Sequence, residues 1–236
     1  MKLEVISLDL GDTLVHNEPW GYQIISDLLK DLGYSVSSKQ IFRTSAKLRG
    51  KKLKPNPNGN NTPSLREVFS ELNINISDDE IKIIEDANKQ AEKEVFLYDD
   101  VIDFLETVRS MDIKTVLVSN AAYNGKAKKH LETFGLRKYF DKVVFSFEVG
   151  KVKPDPEIFK IAIANPRENA IHLGDIYEVD VLGAVNACLQ GALIDRRQAY
   201  EEIDDKYLNL RDFLRNMEKA ENKIIEKECI KERDQN

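Results

Sequence analysis

Short apolar runs rich in Val, Ile and Leu recur at residues 3–8, 114–118, 143–147, 170–173 and 191–194, each of a length that suits a buried strand. Between the last four, amphipathic stretches near 123–134, 155–164 and 177–188 carry apolar residues at helical spacing. Strands that alternate with helices in this rhythm predict a parallel sheet covered on both faces, an α/β, Rossmann-like core. In such sheets ligands bind beyond the carboxyl ends of the strands, which is where chemistry is sought.

The first interval is different. Residues 17–98 carry a helical pattern, with Ile24, Ile25, Leu28, Leu29 and Leu32 on one face and Ile81, Ile83, Ile84 and Ala87 repeating it later. No strand is predicted there, and a connection of roughly 80 residues is far longer than an ordinary crossover. It reads as an all-helical domain inserted into the core. Within it, residues 54–63 (KPNPNGNNTP) are turn formers throughout and predict a loop free to move. The predicted organisation is a core of 1–16 and 99–215, a helical insert of 17–98 and a charged extension of 216–236. The extension is read as a solvated terminal helix or a frayed end.

Composition narrows the function. The 236 residues are 42% hydrophobic and 32% charged with a net charge of -6, a balance that disfavours broad nucleic-acid binding. No apolar run is long enough to span a membrane, and the first residues lack the features of a secretory signal, so a cytoplasmic location is expected. Cys188 and Cys229 belong to no paired motif, which argues against a disulfide framework or zinc site; Cys188 is expected to pack within an apolar helix. Small-molecule chemistry becomes the default.

Several of the predicted strands end in polar residues suited to phosphoryl chemistry. Asp9 follows Val5-Ile6-Ser7-Leu8, Ser119 and Asn120 follow Val116-Leu117-Val118, and Asp175 follows Ile171-His172-Leu173-Gly174. Lys153 lies in Gly150-Lys151-Val152-Lys153-Pro154-Asp155-Pro156, where the prolines stiffen entry into the next helix. Each residue alone has an ordinary explanation as a turn former, cap or solvated charge; their order is the informative feature. Asp9-Leu10-Gly11-Asp12-Thr13-Leu14, Ser119-Asn120, the lysine segment through Phe159, and Gly174-Asp175 to Asp180 together resemble the four signatures of the haloacid dehalogenase superfamily. The likeness spans about residues 3–195.

The resemblance implies a Rossmann-like core with a helical cap after the first signature. It also implies a hydrolase in which the Asp9 carboxylate attacks a small phosphate ester or acyl phosphate through an aspartyl-phosphate. By the same likeness, Asp9, Asp175 and the carbonyl of Gly11 hold Mg2+, whose preference is for hard oxygen donors. Lys153, Ser119 and Asn120 would bind the phosphoryl group, and Asp180 would support the site from behind. The cap would close over substrate about hinges near 15–19 and 96–100 to exclude water.

One position departs from the pattern. Where related phosphatases carry a second Asp two residues after the nucleophile, as proton donor to the leaving group, this chain has Gly11, and an Asp follows as Asp12. Either Asp12 reaches the leaving-group oxygen as the displaced acid, or its carboxylate points away and serves structure; the second reading is preferred because side-chain direction changes with each step along a loop. Two alternatives to the phosphatase stand beside it: a 2-haloacid dehalogenase, which the intact Gly174-Asp175 to Asp180 signature disfavours, and a weakly active or non-catalytic binding protein on the same scaffold. The basic run Lys47, Arg49, Lys51, Lys52 and Lys54 is read as a solvated face in preference to an attractor of anionic leaving groups. His16 and Trp20 are read as packing residues at the hinge. The expected partner is a small phosphorylated molecule, with the chain a monomer or homodimer.

Overall fold

A computed structural model of the chain describes residues 3–164 and 169–223. In chain order, β1 (Val5–Leu8) and β2 (Val15–Glu18) precede α1 (Gly21–Asp31), α2 (Ser38–Gly50), α3 (Leu65–Glu71), α4 (Asp78–Gln90) and β3 (Glu94–Leu97). There follow α5 (Val101–Ser110), β4 (Lys114–Ser119), α6 (Lys126–Thr133), β5 (Lys142–Phe145), α7 (Ser146–Val149) and α8 (Pro156–Ala162). The chain continues through β6 (Ala170–Gly174), a π-helical turn (Tyr177–Val181), α9 (Leu182–Asn186), β7 (Gln190–Leu193) and α10 (Leu210–Lys223).

Five strands form one parallel sheet in the order β5-β4-β1-β6-β7, so β1 is central. Because side chains alternate along a strand, successive residues serve opposite faces. Ile6, Leu8 and Leu117 pack with Phe104 of α5, Leu131 of α6 and Phe213 of α10, whereas Val5, Val116 and Val118 pack with Ile158 and Phe159 of α8 and Ala184 of α9. Both faces are therefore dry, which explains the near-continuous apolar runs of these strands. The third predicted run, 143–147, ends earlier than expected: Ser146 leaves the strand and starts α7.

Helices α1 to α4 bury their own cluster, including Ile25, Leu29, Ile41, Phe69, Ile81 and Ile84. Ser37, Ser64 and Ser77 each begin a helix with a full capping box, closed by Gln40, Glu67 and Glu80. The expectation of no strand within 17–98 is corrected by β3, which pairs antiparallel with β2 in a separate two-stranded ribbon. Alternation there is masked, because β3 is half exposed with no buried residue. This ribbon forms the stem of the helical insert. His16 stacks on Tyr98 at 4.3 Å between ring centroids, and Trp20 meets Tyr22 and Phe42, so both are packing residues. Cys188 is corrected too: it follows α9, exposed, with φ 62, because the helix ends at Asn186. Cys229 and most of the 216–236 extension lie outside the described residues, while α10 itself begins before that boundary.

Below the stem, Asp100 is fully buried and accepts hydrogen bonds from Arg196 Nη1 (3.2 Å) and Nη2 (2.8 Å) and from the Leu210 amide (2.7 Å). Arg196 Nε donates to the Thr13 carbonyl at 2.9 Å, and its guanidinium lies 3.9 Å from the centre of the Tyr98 ring. One ion pair thus ties the loop after β1, the stem and the start of α10. Replacing Arg196 by Met leaves the Asp100 charge buried and unpaired, so Arg196→Met is expected to lower stability by about 3–5 kcal/mol in urea unfolding. Asp100→Asn combined with Arg196→Met is expected to recover part of that loss.

Candidate active site

Because β1 is central, the residue after it is flanked by the ends of both neighbours. Asp9 donates its amide to the Leu173 carbonyl at 2.9 Å, which places it between Ser119 at the end of β4 and Asp175 just past β6. These residues, with Gly11, Asp12, Asn120, Lys153 and Asp180, line a cleft of about 230 Å³ roofed by Tyr22, Phe42 and Arg49 of the helical insert. All the predicted site residues converge there.

Lys153, 1% exposed, lies between two carboxylates, with Nζ 2.7 Å from Asp9 Oδ1 and 2.6 Å from Asp180 Oδ1. Asp180 returns to this point because the π-helical turn carries it back over Gly174; a side chain at Gly174 would collide with the Asp180 carboxylate. The second oxygen of Asp180 accepts from the Ile176 amide at 2.9 Å. Behind it, His172 Nε2 is 3.3 Å from Asp180 Oδ1, and His172 Nδ1 is 2.8 Å from Ser7 Oγ on the adjacent strand. Burial pushes the Asp180 carboxyl up, but Lys153 and His172 outweigh it and hold Asp180 well below the usual carboxylate range. Burial would likewise lower Lys153, and the two carboxylates more than reverse that, keeping it an ammonium. His172 is shifted down by burial and by Lys153, which favours neutral imidazole.

Asp9 and Asp175 behave differently. Burial raises the carboxyl of Asp9 despite Lys153, and it raises Asp175 well above the ordinary value, reinforced by Asp12, Asp180 and Asp9. Among the described residues Asp175 has no hydrogen-bond or ion-pair partner. Carboxylates crowded in this way are relieved by a cation. Among the described residues no three His, Cys, Asp or Glu side chains converge as a metal cluster. The available set is two carboxylates and the Gly11 main chain, hard oxygen donors that suit magnesium, an ion that retains several waters.

The structure adds a residue that the sequence did not single out, Asn61, through one that it did, Asn120. Asn120 borders the cleft, yet its amide is committed: Oδ1 accepts from the Lys153 amide at 2.8 Å, and Nδ2 donates to the Lys153 carbonyl at 2.8 Å and to Asn61 Oδ1 at 3.0 Å. Asn61, from the insert and 1% exposed, in turn donates to the Lys153 carbonyl at 2.8 Å and to the Arg49 carbonyl at 3.2 Å. The loop expected to move freely is instead docked on the core: Ser146 Oγ donates to the Gly59 carbonyl at 2.6 Å, and Gly59 (φ 87) fits between Phe147 and Tyr123 where a Cβ would clash. An Asn-rich loop looks solvated in sequence because its side chains say nothing of which distant main chain they will satisfy.

The basic run divides. Lys47, Lys51 and Lys54 are exposed and Lys52 pairs with Glu67, but Arg49 faces the cleft, which corrects the reading of the run as a uniformly solvated face. Asp12 sits in the left-handed region at φ 50, a conformation that Asp tolerates, and its Oδ1 accepts from Arg197 Nη2 at 3.0 Å and Nε at 3.3 Å.

The model of the haloacid dehalogenase-like hydrolases matches residues 3–187. The chain belongs to this family of hydrolases. It is 37% identical over 92 residues to the pyrimidine 5'-nucleotidase YjjG of Escherichia coli, covering 37% of this chain and 40% of that protein. It is 31% identical over 129 residues to the pyrophosphatase PpaX of Listeria monocytogenes, covering 53% of this chain and 58% of that one. The chain thus spans about half the length of these curated relatives. A HAD phosphatase from Thermococcus onnurineus superposes with a TM-score of 0.56 at 22% identity, over 92% of this chain and 99% of that chain, and shows the same fold.

Asn61 holds Lys153 directly through one bond to its carbonyl and indirectly through one from Asn120, each worth about 1 kcal/mol net. Asn61→Ala is expected to raise amide hydrogen exchange at Val152 and Lys153 by roughly tenfold or more while leaving β1 and β6 protected. Unchanged exchange would show that Asn120 alone positions the lysine.

Proposed function

We propose that the chain is a magnesium-dependent phosphatase of short phosphate esters or acyl phosphates, acting through an aspartyl-phosphate on Asp9. The observation that supports this most is the asymmetry of the carboxylates. Lys153 claims one oxygen of Asp9, Asp180 is saturated, and half-buried Asp175 has no hydrogen-bond or ion-pair partner among the described residues. Magnesium, when bound by Asp9, Asp175 and the Gly11 carbonyl, supplies the charge that lets a carboxylate approach an anionic ester.

The chain's own groups do the rest. Lys153 fixes Asp9 through Oδ1, so Oδ2 is the atom left to attack phosphorus, and the phosphorus–leaving-group bond breaks as the new bond forms. The Lys153 ammonium and Ser119 hydroxyl meet the charge spread over the phosphoryl oxygens. Water then cleaves the aspartyl-phosphate and restores Asp9. The relatives named as pyrophosphatases and as a nucleotidase support phosphoryl chemistry over carbon–halogen cleavage. The helical insert acts as the cap, its roof over the strand ends excluding water.

Proton delivery to the leaving group is the weak step. Gly11 has no donor, and Asp12 is engaged by Arg197 at the rim. Lacking a general acid costs about a hundredfold to ten-thousandfold on ordinary esters, so aryl and acyl phosphates, which depart without protonation, are the favoured substrates.

With p-nitrophenyl phosphate and magnesium, Asp9→Asn and Asp175→Asn are each expected to lower kcat/KM by at least ~100-fold without loss of circular-dichroism signal. Full activity in either would remove that residue from the site. Separately, Asp12→Ala should leave aryl phosphate turnover near normal, and Gly11→Asp, at a position with open space around an added Cβ, should raise alkyl phosphate turnover. If Asp12→Ala abolishes alkyl turnover while aryl hydrolysis persists, Asp12 is the proton donor.

A further inference from the structure

Two polar side chains lie in the middle of a dry sheet. Ser7 of β1 and His172 of β6 are fully buried and stand opposite one another in the register of these paired strands. Their neighbours on that face, Val5 and Ala170, pack with Ile158 and Phe159 of α8, and the Phe159 ring meets the His172 ring edge to face at 5.0 Å. An apolar pair would fill this layer, and polar groups are kept in such a place only when their bonds are made.

The bonds they make lead to the nucleophile. Asp180, held ionised by Lys153 and His172, can only accept, so His172 Nε2, 3.3 Å from its Oδ1, is the protonated ring nitrogen. Burial and Lys153 favour the neutral imidazole, which leaves Nδ1 an acceptor, and Ser7 Oγ at 2.8 Å donates to it. Lys153 Nζ then bridges Asp180 Oδ1 and Asp9 Oδ1 at 2.6 and 2.7 Å. Ser7 lies two positions before Asp9, which continues the line of β1 through its bond to the Leu173 carbonyl, so both project from one face. The path from Ser7 through His172, Asp180 and Lys153 to Asp9 therefore begins and ends on the same strand, as a closed circuit of hydrogen bonds.

We infer that His172, anchored by Ser7, is a positioning residue that holds Asp180 toward Lys153 and through them fixes the direction of the Asp9 carboxylate. Its effect on turnover rests on the phosphoryl reading of Asp9. Without the ring, Asp180 keeps Lys153 and the Ile176 amide but can turn between them, and the ammonium turns with it. The attacking oxygen of Asp9 is then misdirected while the cleft keeps its shape, a fault felt in turnover more than in substrate binding.

Side-chain NMR of the whole chain, with kinetics on p-nitrophenyl phosphate and magnesium, tests this. The wild-type His172 ring should be the neutral Nε2–H tautomer, with a slowly exchanging Nε2–H proton that exchanges faster in Ser7→Ala. The Lys153 ammonium should likewise exchange faster in His172→Leu. His172→Leu is expected to lower kcat by about tenfold to a hundredfold with KM little changed. His172→Gln, whose amide can place a donor where Nε2 stands, should recover most of that loss. Ser7→Ala should cause a smaller loss of the same kind, and none beyond it when added to His172→Leu, because the serine acts only through the ring. If His172→Leu does not fold, His172→Gln and Ser7→Ala still decide: near-normal kcat in the first with a lowered kcat in the second supports the circuit. An Nδ1–H tautomer in the wild type, a kcat unchanged in Ser7→Ala, or equal losses in the Leu and Gln variants would overturn the inference. If the wild type turns over no aryl phosphate, the phosphatase reading falls by itself, and the exchange of the Lys153 ammonium still decides whether His172 positions the lysine.

Discussion

The buried ammonium of Lys153 is the interaction on which the site depends. A lysine withdrawn from water is tolerated only when charge and hydrogen bonds replace its hydration, and Asp9 and Asp180 do so at 2.7 and 2.6 Å. That requirement organises its surroundings. Gly174 must be glycine so that Asp180 can return over the strand end, the π-helical turn sets the return, and His172 and the Ile176 amide fix the carboxylate from behind. Removing any one of these partners leaves charge unmatched where water cannot reach it.

The same lysine joins core and insert. Its main chain is held by Asn120 just past β4 and by Asn61 from the loop after α2, so the geometry of a core residue is set in part by the domain above it. Further out, Arg43 of α2 bonds Glu178 at 2.9 and 3.1 Å and lies 3.7 Å from the centre of the Tyr200 ring, while Phe42 packs on Tyr200. The roof is thus built from packed and ion-paired contacts near the pocket it covers. A loop held by hydrogen bonds at a few points can release at modest cost, whereas the insert's own hydrophobic cluster stays intact.

The sheet, its flanking helices and the identity of the floor residues were legible from the chain alone. Period-two and period-3.6 patterns report burial directly, and a residue that follows a parallel strand must lie at the carboxyl edge of the sheet. That reasoning places Asp9, Ser119 and Asp175 together without knowledge of any contact. The capping boxes at Ser37, Ser64 and Ser77 are equally local and equally readable. The β2–β3 ribbon was not, because a four-residue strand with no buried residue gives no alternation to detect.

What the sequence determined by itself is therefore the scaffold and the chemical character of its central edge. Only the tertiary structure decided which of five basic residues in one run enters the cleft, that Asn61 completes the lysine's main-chain bonds across 92 positions, and that Arg197 takes the Asp12 carboxylate from 185 positions away. The physical reason is the range of each interaction. Hydrophobic periodicity and capping act between neighbours in the chain, so they are written in short windows. Hydrogen bonds and ion pairs between distant segments depend on where packing brings those segments, and no local pattern encodes the partner.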